Sequence, residues 1–262
     1  QLARQIATLD QILGGRLTVN IISSDMPGEV LASKPRYDRT VEVMKILKTL
    51  LNGNALDHQG EFYKLQLPPP NVKTVSGKCP PLYFGGLSED AREAAAEAAD
   101  VYLMWPDTED VIAETIADLQ HRATAYGRSL KFGYRVHVVV RETEDEAQSA
   151  AAHLISAVDA ATGDAIRSRS LDSTSVGVRR QAELRESASS DGFVEPQLWT
   201  GIGKARSGCG AAIVGTPQQV IDKIHRYEAM GIEAFIFSGY PHKDEAERFA
   251  DLVLPHLSHG PL

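Results

Sequence analysis

The sequence predicts a parallel α/β protein of the (β/α)8 barrel type, and three observations carry that expectation. Short apolar strands alternate with amphipathic helices along most of the chain. The loops between them are very unequal in length, which favours a barrel with one loop-bearing face over an open doubly wound sheet. Two strands end in polar groups. Phe235-Ile236-Phe237-Ser238-Gly239-Tyr240-Pro241-His242 sets a phenol and an imidazole at a strand mouth, and Phe132-Gly133-Tyr134-Arg135-Val136-His137 sets a guanidinium and an imidazole on one strand face by the period-2 rule.

The elements follow in order. Ile6, Leu9, Ile12 and Leu13 keep helical spacing over 3–13, Gly14-Gly15 stops that helix, and Leu17–Ile22 reads as a buried strand. A helix over 37–51 lines Val41, Met44, Leu47 and Leu51 on one face. A hairpin over 56–67 turns at Gln59-Gly60. After Pro68-Pro69-Pro70 come the strand Pro81–Phe84, the turn Gly85-Gly86-Leu87-Ser88, an Ala-rich helix to Ala99, a strand over 101–104 and a helix over 108–126 with Gly127 beyond its end. The strand bearing Arg135 and His137 leads to a helix with the capping box Thr143 and Glu146. Residues 162–190 are rich in Ser, Arg, Asp and Glu without an apolar period, so an exposed insertion over about 162–205 is expected within a single domain of residues 1–262. Thr216, Pro217 and Gln219 then open a helix that Gly231 ends, and a strand over 234–237 and a helix over 243–254 complete the chain. The longer strands number too few for a barrel of eight, so three βα units are expected to be missing upstream of Gln1.

With 262 residues, 43% of them hydrophobic, the chain can bury a sizeable core. The net charge of −8 comes with scattered cations, which argues against nucleic acid or an anionic membrane as partner. Cys79 and Cys209 lack metal-ligand spacing and are too few for a disulfide framework, and no apolar run approaches the roughly 20 residues of a membrane span. A soluble cytoplasmic protein without a metal site is expected.

Chemistry points to four places. The turn Gly85-Gly86-Leu87-Ser88 stands between a strand end and a helix start, where free N–H groups attract phosphate, though a plain N-cap explains it equally well. Arg135 on an apolar strand needs an anion or a structural carboxylate beside it, and His137 is as readily a core histidine as a catalytic one. Tyr240 and His242 reach the loop face, where they can hydrogen-bond and carry protons. Arg206, in the glycine-flanked stretch Gly203–Gly210, suits a lid over a bound anion, although a lone loop arginine is more often simply solvated.

These segments, together with Ala3–Asp10, Gly14-Gly15-Arg16, Arg36-Tyr37, Pro80–Gly86, Arg141-Glu142-Thr143 and Leu198-Trp199-Thr200-Gly201, resemble the bacterial luciferase-like flavin monooxygenases, and within them the alkanesulfonate monooxygenase branch. The resemblance implies a TIM barrel that takes reduced FMN from a separate NAD(P)H-dependent flavin reductase, forms a flavin peroxide with O2, and cleaves the C–S bond of an alkanesulfonate to aldehyde and sulfite. It implies that Tyr37, Ser88 and the backbone of Gly86 and Leu87 hold the FMN phosphate, with Asn20 and Ser23 beneath the flavin. It further implies that Arg135, His137, Arg206, Tyr240 and His242 surround the sulfonate and the peroxide, in a protein that forms dimers or tetramers. The sequence departs from the family where Ser33 replaces a usual His and Leu87 a usual Ser. Two other readings stand beside this one: a non-catalytic barrel remnant, and a related oxidoreductase using flavin or deazaflavin on another substrate.

Overall fold

The computed structural model describes residues 1–23, 31–168 and 175–260. The chain divides into two compact units, Gln1–Tyr102 with Leu119–Lys131 and Leu103–Asp118 with Phe132–Leu262. In chain order the elements begin with α1 (Leu2–Ile12), β1 (Val19–Ile21), α2 (Ser33–Leu51), β2 (Leu56–Gln59), β3 (Lys64–Leu67), β4 (Leu82–Phe84), α3 (Glu89–Ala98), β5 (Val101–Met104) and α4 (Glu109–Ala125), the division falling within β5 and α4.

In the first unit β1, β4 and β5 form a parallel ladder, with Val19 opposite Leu82 and Tyr83 opposite Val101. Helices α1 and α2 meet, but only partly on the predicted faces: Ala3, Ile6 and Ala7 pack with Ile46, Leu47, Leu50 and Leu51, whereas Leu9, Ile12 and Leu13 are exposed. Alanines 91, 94, 95 and 98 form the buried face of α3, and their small side chains let α2 approach closely. Asp100 ties the sheet together by accepting from the Leu82 N–H and from the Lys48 ammonium. The hairpin β2–β3 is anchored by Glu42 of α2, whose carboxylate accepts from the Glu61, Phe62 and Tyr63 N–H groups and lies 3.1 Å from His58 Nε2. Burial alone would raise the Glu42 pKa; these donors outweigh it and hold the carboxyl below its ordinary value.

The second unit continues with β6 (Lys131–Val140), α5 (Glu144–Leu154), α6 (Ala160–Ser168), α7 (Val176–Glu186), β7 (Phe193–Glu195), β8 (Leu198–Trp199), β9 (Ala212–Gly215), α8 (Pro217–Ala229), β10 (Ile232–Ser238) and α9 (His242–Leu252). Strand β6 lies between two parallel partners, so that His137 faces Ser238 of β10 on one side and Ala212 of β9 on the other. Val139, Ala147, Ala151, Trp199, Ala212 and Val214 build a core on one side of this sheet. The predicted capping box of Thr143 with Glu146 forms, and the predicted N-cap Thr216 forms a second one with Gln219.

The alternation of strands and helices is as the sequence predicts, but among the described residues the second unit departs from the strand order of a closed (β/α)8 ring. In such a ring β10 would follow β9 edge to edge. Here β8 pairs antiparallel with β9, taking the edge β10 would need, and β10 pairs with β6 instead. The predicted exposed insertion also holds more regular structure than its composition suggests. Helix α7 buries only Gln181 and Leu184, which is why no apolar period was legible. A bidentate pair fixes it: Arg180 Nε and Nη2 donate to the Asp107 carboxylate at 2.6 and 2.7 Å. Residues 169–174 of that insertion lie outside the described residues. Among the described residues no helix is long and apolar enough to cross a membrane.

Candidate active site

The second unit brings four of the predicted residues into one cluster. His137 projects from β6 and is buried. Arg206 follows the short helical turn Gly201–Lys204, and its Nη1 lies 2.9 Å from His137 Nε2 while donating to the Tyr240 hydroxyl at 3.1 Å. The ring of Tyr240 packs at a tilt against that of His137, with centroids 5.4 Å apart, and against that of His242 at 4.7 Å. His242 is the first residue of α9 rather than a loop residue, and its Nδ1 lies 2.7 Å from the Gly239 carbonyl. Arg206 is thus seated on the cluster. The stretch that carries it turns at Gly208, whose φ of +79° only glycine adopts without strain, close against Trp105.

Electrostatics explain the state of the imidazole. Burial, followed by the charges of Arg206 and Arg135, pulls the His137 pKa down to about 4, with the carbonyls of Cys209 and Ser238 opposing. The ring is neutral at pH 7. Neither Arg135 nor Arg206 has a carboxylate at ion-pair distance among the described residues. Among the described residues there is thus no structural acid to explain Arg135, and two guanidinium groups face the same imidazole with no described anion between them. The Cys209 thiol, buried beneath them, donates to the Arg135 carbonyl at 3.3 Å, and burial pushes its pKa up. Ser238 Oγ lies 2.8 Å from His137 Nδ1. Neither Cys209 nor Ser238 was singled out from the sequence, because only the parallel register of β10 on β6 and the path of the loop before β9 bring them to His137.

The first unit holds the residues predicted for the cofactor. Ser88 is the N-cap of α3, its hydroxyl accepting from the Ala91 N–H at 3.3 Å, and Tyr102 fixes the turn by donating to the Gly86 carbonyl at 2.7 Å. A side chain at position 86 would meet Ala91 Cβ at 2.7 Å and lie 3.5 Å from the Tyr37 hydroxyl. The backbone at Gly86 is thus left bare beside a phenol and a helix N-terminus, a donor set that suits a phosphate. Glu89 in the first turn of α3 opposes an anion there, and Arg122 neutralises it through bonds of 2.6 and 3.1 Å. Leu87 offers only its backbone. Asn20 is exposed on β1, and Ser23 is held by a 2.9 Å hydrogen bond from Thr40.

Comparison with known proteins decides the family. The family model for luciferase-like monooxygenases matches residues 1–234. The chain belongs to the luciferase-like monooxygenase family. It is 67% identical over 269 aligned positions to a sulfoquinovose monooxygenase of Novosphingobium aromaticivorans, covering 100% of this chain and 74% of that protein. It is 52% identical over 259 positions to a sulfoquinovose monooxygenase of Agrobacterium fabrum, covering 98% of this chain and 67% of that one. A crystal structure of riboflavin lyase with modified FMN and riboflavin superposes with a TM-score of 0.73 at 18% identity, covering 98% of this chain and 66% of that chain, a likeness of fold alone.

These relatives correct the substrate expected from the sequence. Alkanesulfonate is overturned, because the two relatives named above are sulfoquinovose monooxygenases. The physical reason lies in what the motifs can report. Guanidinium, imidazole and phenol groups answer to an anionic head, and they carry nothing about the organic group attached to it.

Proposed function

We propose that this chain is a reduced-FMN-dependent monooxygenase that cleaves the C–S bond of sulfoquinovose, a sulfonated sugar, giving an aldehyde and sulfite. The observation that carries the reading is the pair Arg135 and Arg206, two guanidinium groups without carboxylate partners among the described residues, in a chain 67% identical to a sulfoquinovose monooxygenase. Even a half-buried cation without a counter-ion is costly, and a sulfonate supplies the missing charge to both arginines. Arg206 reaches the anion from a glycine-rich segment, so its seating also helps exclude water. Tyr240, whose oxygen accepts from Arg206, keeps its own proton to donate.

Tyr37, Ser88 and the backbone of Gly86 and Leu87 would hold the FMN phosphate, with Asn20 and Ser23 at the end of β1 contributing polar groups near the flavin. Reduced FMN, when bound, supplies the two electrons with which O2 gives one oxygen to the product aldehyde and the other to water. In this reading a separate reductase delivers the flavin, and the chain works as a homo-oligomer in the cytoplasm.

The test is sulfite release. Incubated with enzymatically reduced FMN, O2 and sulfoquinovose, the chain is expected to liberate sulfite in proportion to reduced flavin consumed. Absence of sulfite together with failure to bind reduced FMN at micromolar concentration would overturn the reading.

A further inference from the structure

Ser238 ends β10, and the parallel register sets it directly opposite His137 of β6. Its Oγ is 2.8 Å from His137 Nδ1, and Arg206 Nη1 is 2.9 Å from His137 Nε2, so both ring nitrogens are engaged at once. A guanidinium nitrogen can only donate, because its lone pair is delocalised and the group stays charged. Nε2 must therefore present its own lone pair. The ring proton then sits on Nδ1, where Ser238 Oγ at 2.8 Å accepts it, with the backbone carbonyls of Ser238 and Cys209 as further acceptors near the ring. A proton on Nε2 would set two N–H groups against each other, and protonating both nitrogens would place a second cation against Arg206.

From this geometry we infer that Ser238 is a positioning residue of the site: it locks His137 as the neutral Nδ1–H tautomer, so that Nε2 holds Arg206 in the orientation that receives an anion. The meaning of this device for turnover rests on the function proposed above, whereas the tautomer itself is a property of the residues alone. It changes the role expected for His137. While Arg206 is seated, the Nε2 lone pair is occupied and cannot accept a proton from substrate. Hydrogen bonds run outward from Arg206, to His137 Nε2 and to the Tyr240 oxygen, and from His137 to Ser238. The titratable and charged groups around the ring are Arg135 on its own strand, Arg206 and Cys209 from the segment before β9, and Tyr240 with His242 after β10. None of those neighbours is a carboxylate that would favour the imidazolium.

The experiment is nitrogen-15 NMR of histidine-labelled full chain at pH 7, with the His137 resonances assigned by their loss in His137→Gln. The wild type is expected to show the two-bond proton–nitrogen pattern of an Nδ1–H imidazole. Ser238→Ala is expected to lose that single pattern to a mixture of tautomers, and Ser238→Thr, which restores the hydroxyl, to regain it. Under turnover Ser238→Ala should raise the KM for sulfoquinovose about tenfold with kcat changed far less, the scale of one hydrogen bond to a charged network. An Nε2–H wild type, or an Ala variant that keeps a pure Nδ1–H ring, overturns the inference. The NMR readout does not depend on catalysis. A chain that releases no sulfite and fails to bind reduced FMN, yet shows the tautomer loss, would sink the proposed function and leave the role of Ser238 standing.

Discussion

Arg206 Nη1 meets His137 Nε2 at 2.9 Å, a permanent cation against an imidazole that burial and two guanidinium charges keep neutral. The pair is stable only while His137 stays unprotonated, and this fixes the sign of its pH dependence. The folded pKa of about 4 lies below the ordinary 6.5 of a free histidine. Between those values the unfolded chain binds more protons than the folded one, so stability is fully present above pH 6.5 and drains away as pH falls toward 4. The loss is on the order of 3 kcal/mol over that window. Urea denaturation at pH 7 and pH 4.5 is expected to show a smaller drop in His137→Gln than in the wild type; equal drops in both would disprove the linkage.

Removing the charge at position 206 should act on substrate binding. Arg206→Ala is expected to raise the KM for sulfoquinovose by roughly 10- to 100-fold, the range for losing a charge-assisted hydrogen bond in a partly dry site. Arg206→Lys keeps the charge and loses the planar fork, so it should recover only part of the affinity. Steady-state kinetics with sulfite detection would read both, and an unchanged KM in the Ala variant would remove Arg206 from the anion site.

Gly86 has a different sensitivity. Gly86→Ala places a methyl group 2.7 Å from Ala91 Cβ, closer than carbon atoms tolerate, so the turn or α3 must shift. Overpacking of this kind costs about 1–3 kcal/mol. Reduced-FMN affinity, followed by fluorescence quenching under anaerobic conditions, is expected to fall well beyond what the stability loss explains. Wild-type affinity in that variant would separate the Gly86 turn from flavin binding.

Away from the site, Lys223 is 1% exposed and its ammonium bridges Glu109 and Glu195, with Arg226 also on Glu109. Lys223→Met leaves the half-buried Glu195 without its counter-ion, a change worth about 3–5 kcal/mol. The melting temperature should fall by about 10 °C. Adding Glu195→Gln, which removes the orphaned charge, should restore part of the loss; a double variant no better than the single one would show that packing rather than charge governs this cluster.

Much of the local structure was legible in the residues. The capping box Thr143/Glu146, the N-cap Thr216, the stop at Gly127 and a hairpin over 56–67 depend on groups within a few positions of one another and form as predicted, although the hairpin turns at Gly60–Tyr63, with Gln59 paired to Lys64. The convergence of His137 and Tyr240 was expected because strand mouths of parallel α/β proteins share a face, while that of Arg206 was implied only by the family resemblance. The seating of Arg206 on His137 was not legible, since a loop residue 69 positions away carries no periodicity that points at its partner. The run Ala212–Gly215 was equally silent, four residues too short to stand out from the glycine-rich segment before it.

By itself the sequence determined the α/β alternation, the helix ends and the residue types that could hold anions, because these follow from short-range sterics, hydrogen-bond capping and hydrophobic period. Tertiary structure alone decided that β8 takes the free edge of β9, that Ser238 faces His137, and that no carboxylate neutralises Arg135 and Arg206 among the described residues. Those outcomes depend on register and on which side chains share a buried volume, and one strand's own residues do not encode the identity of its neighbour.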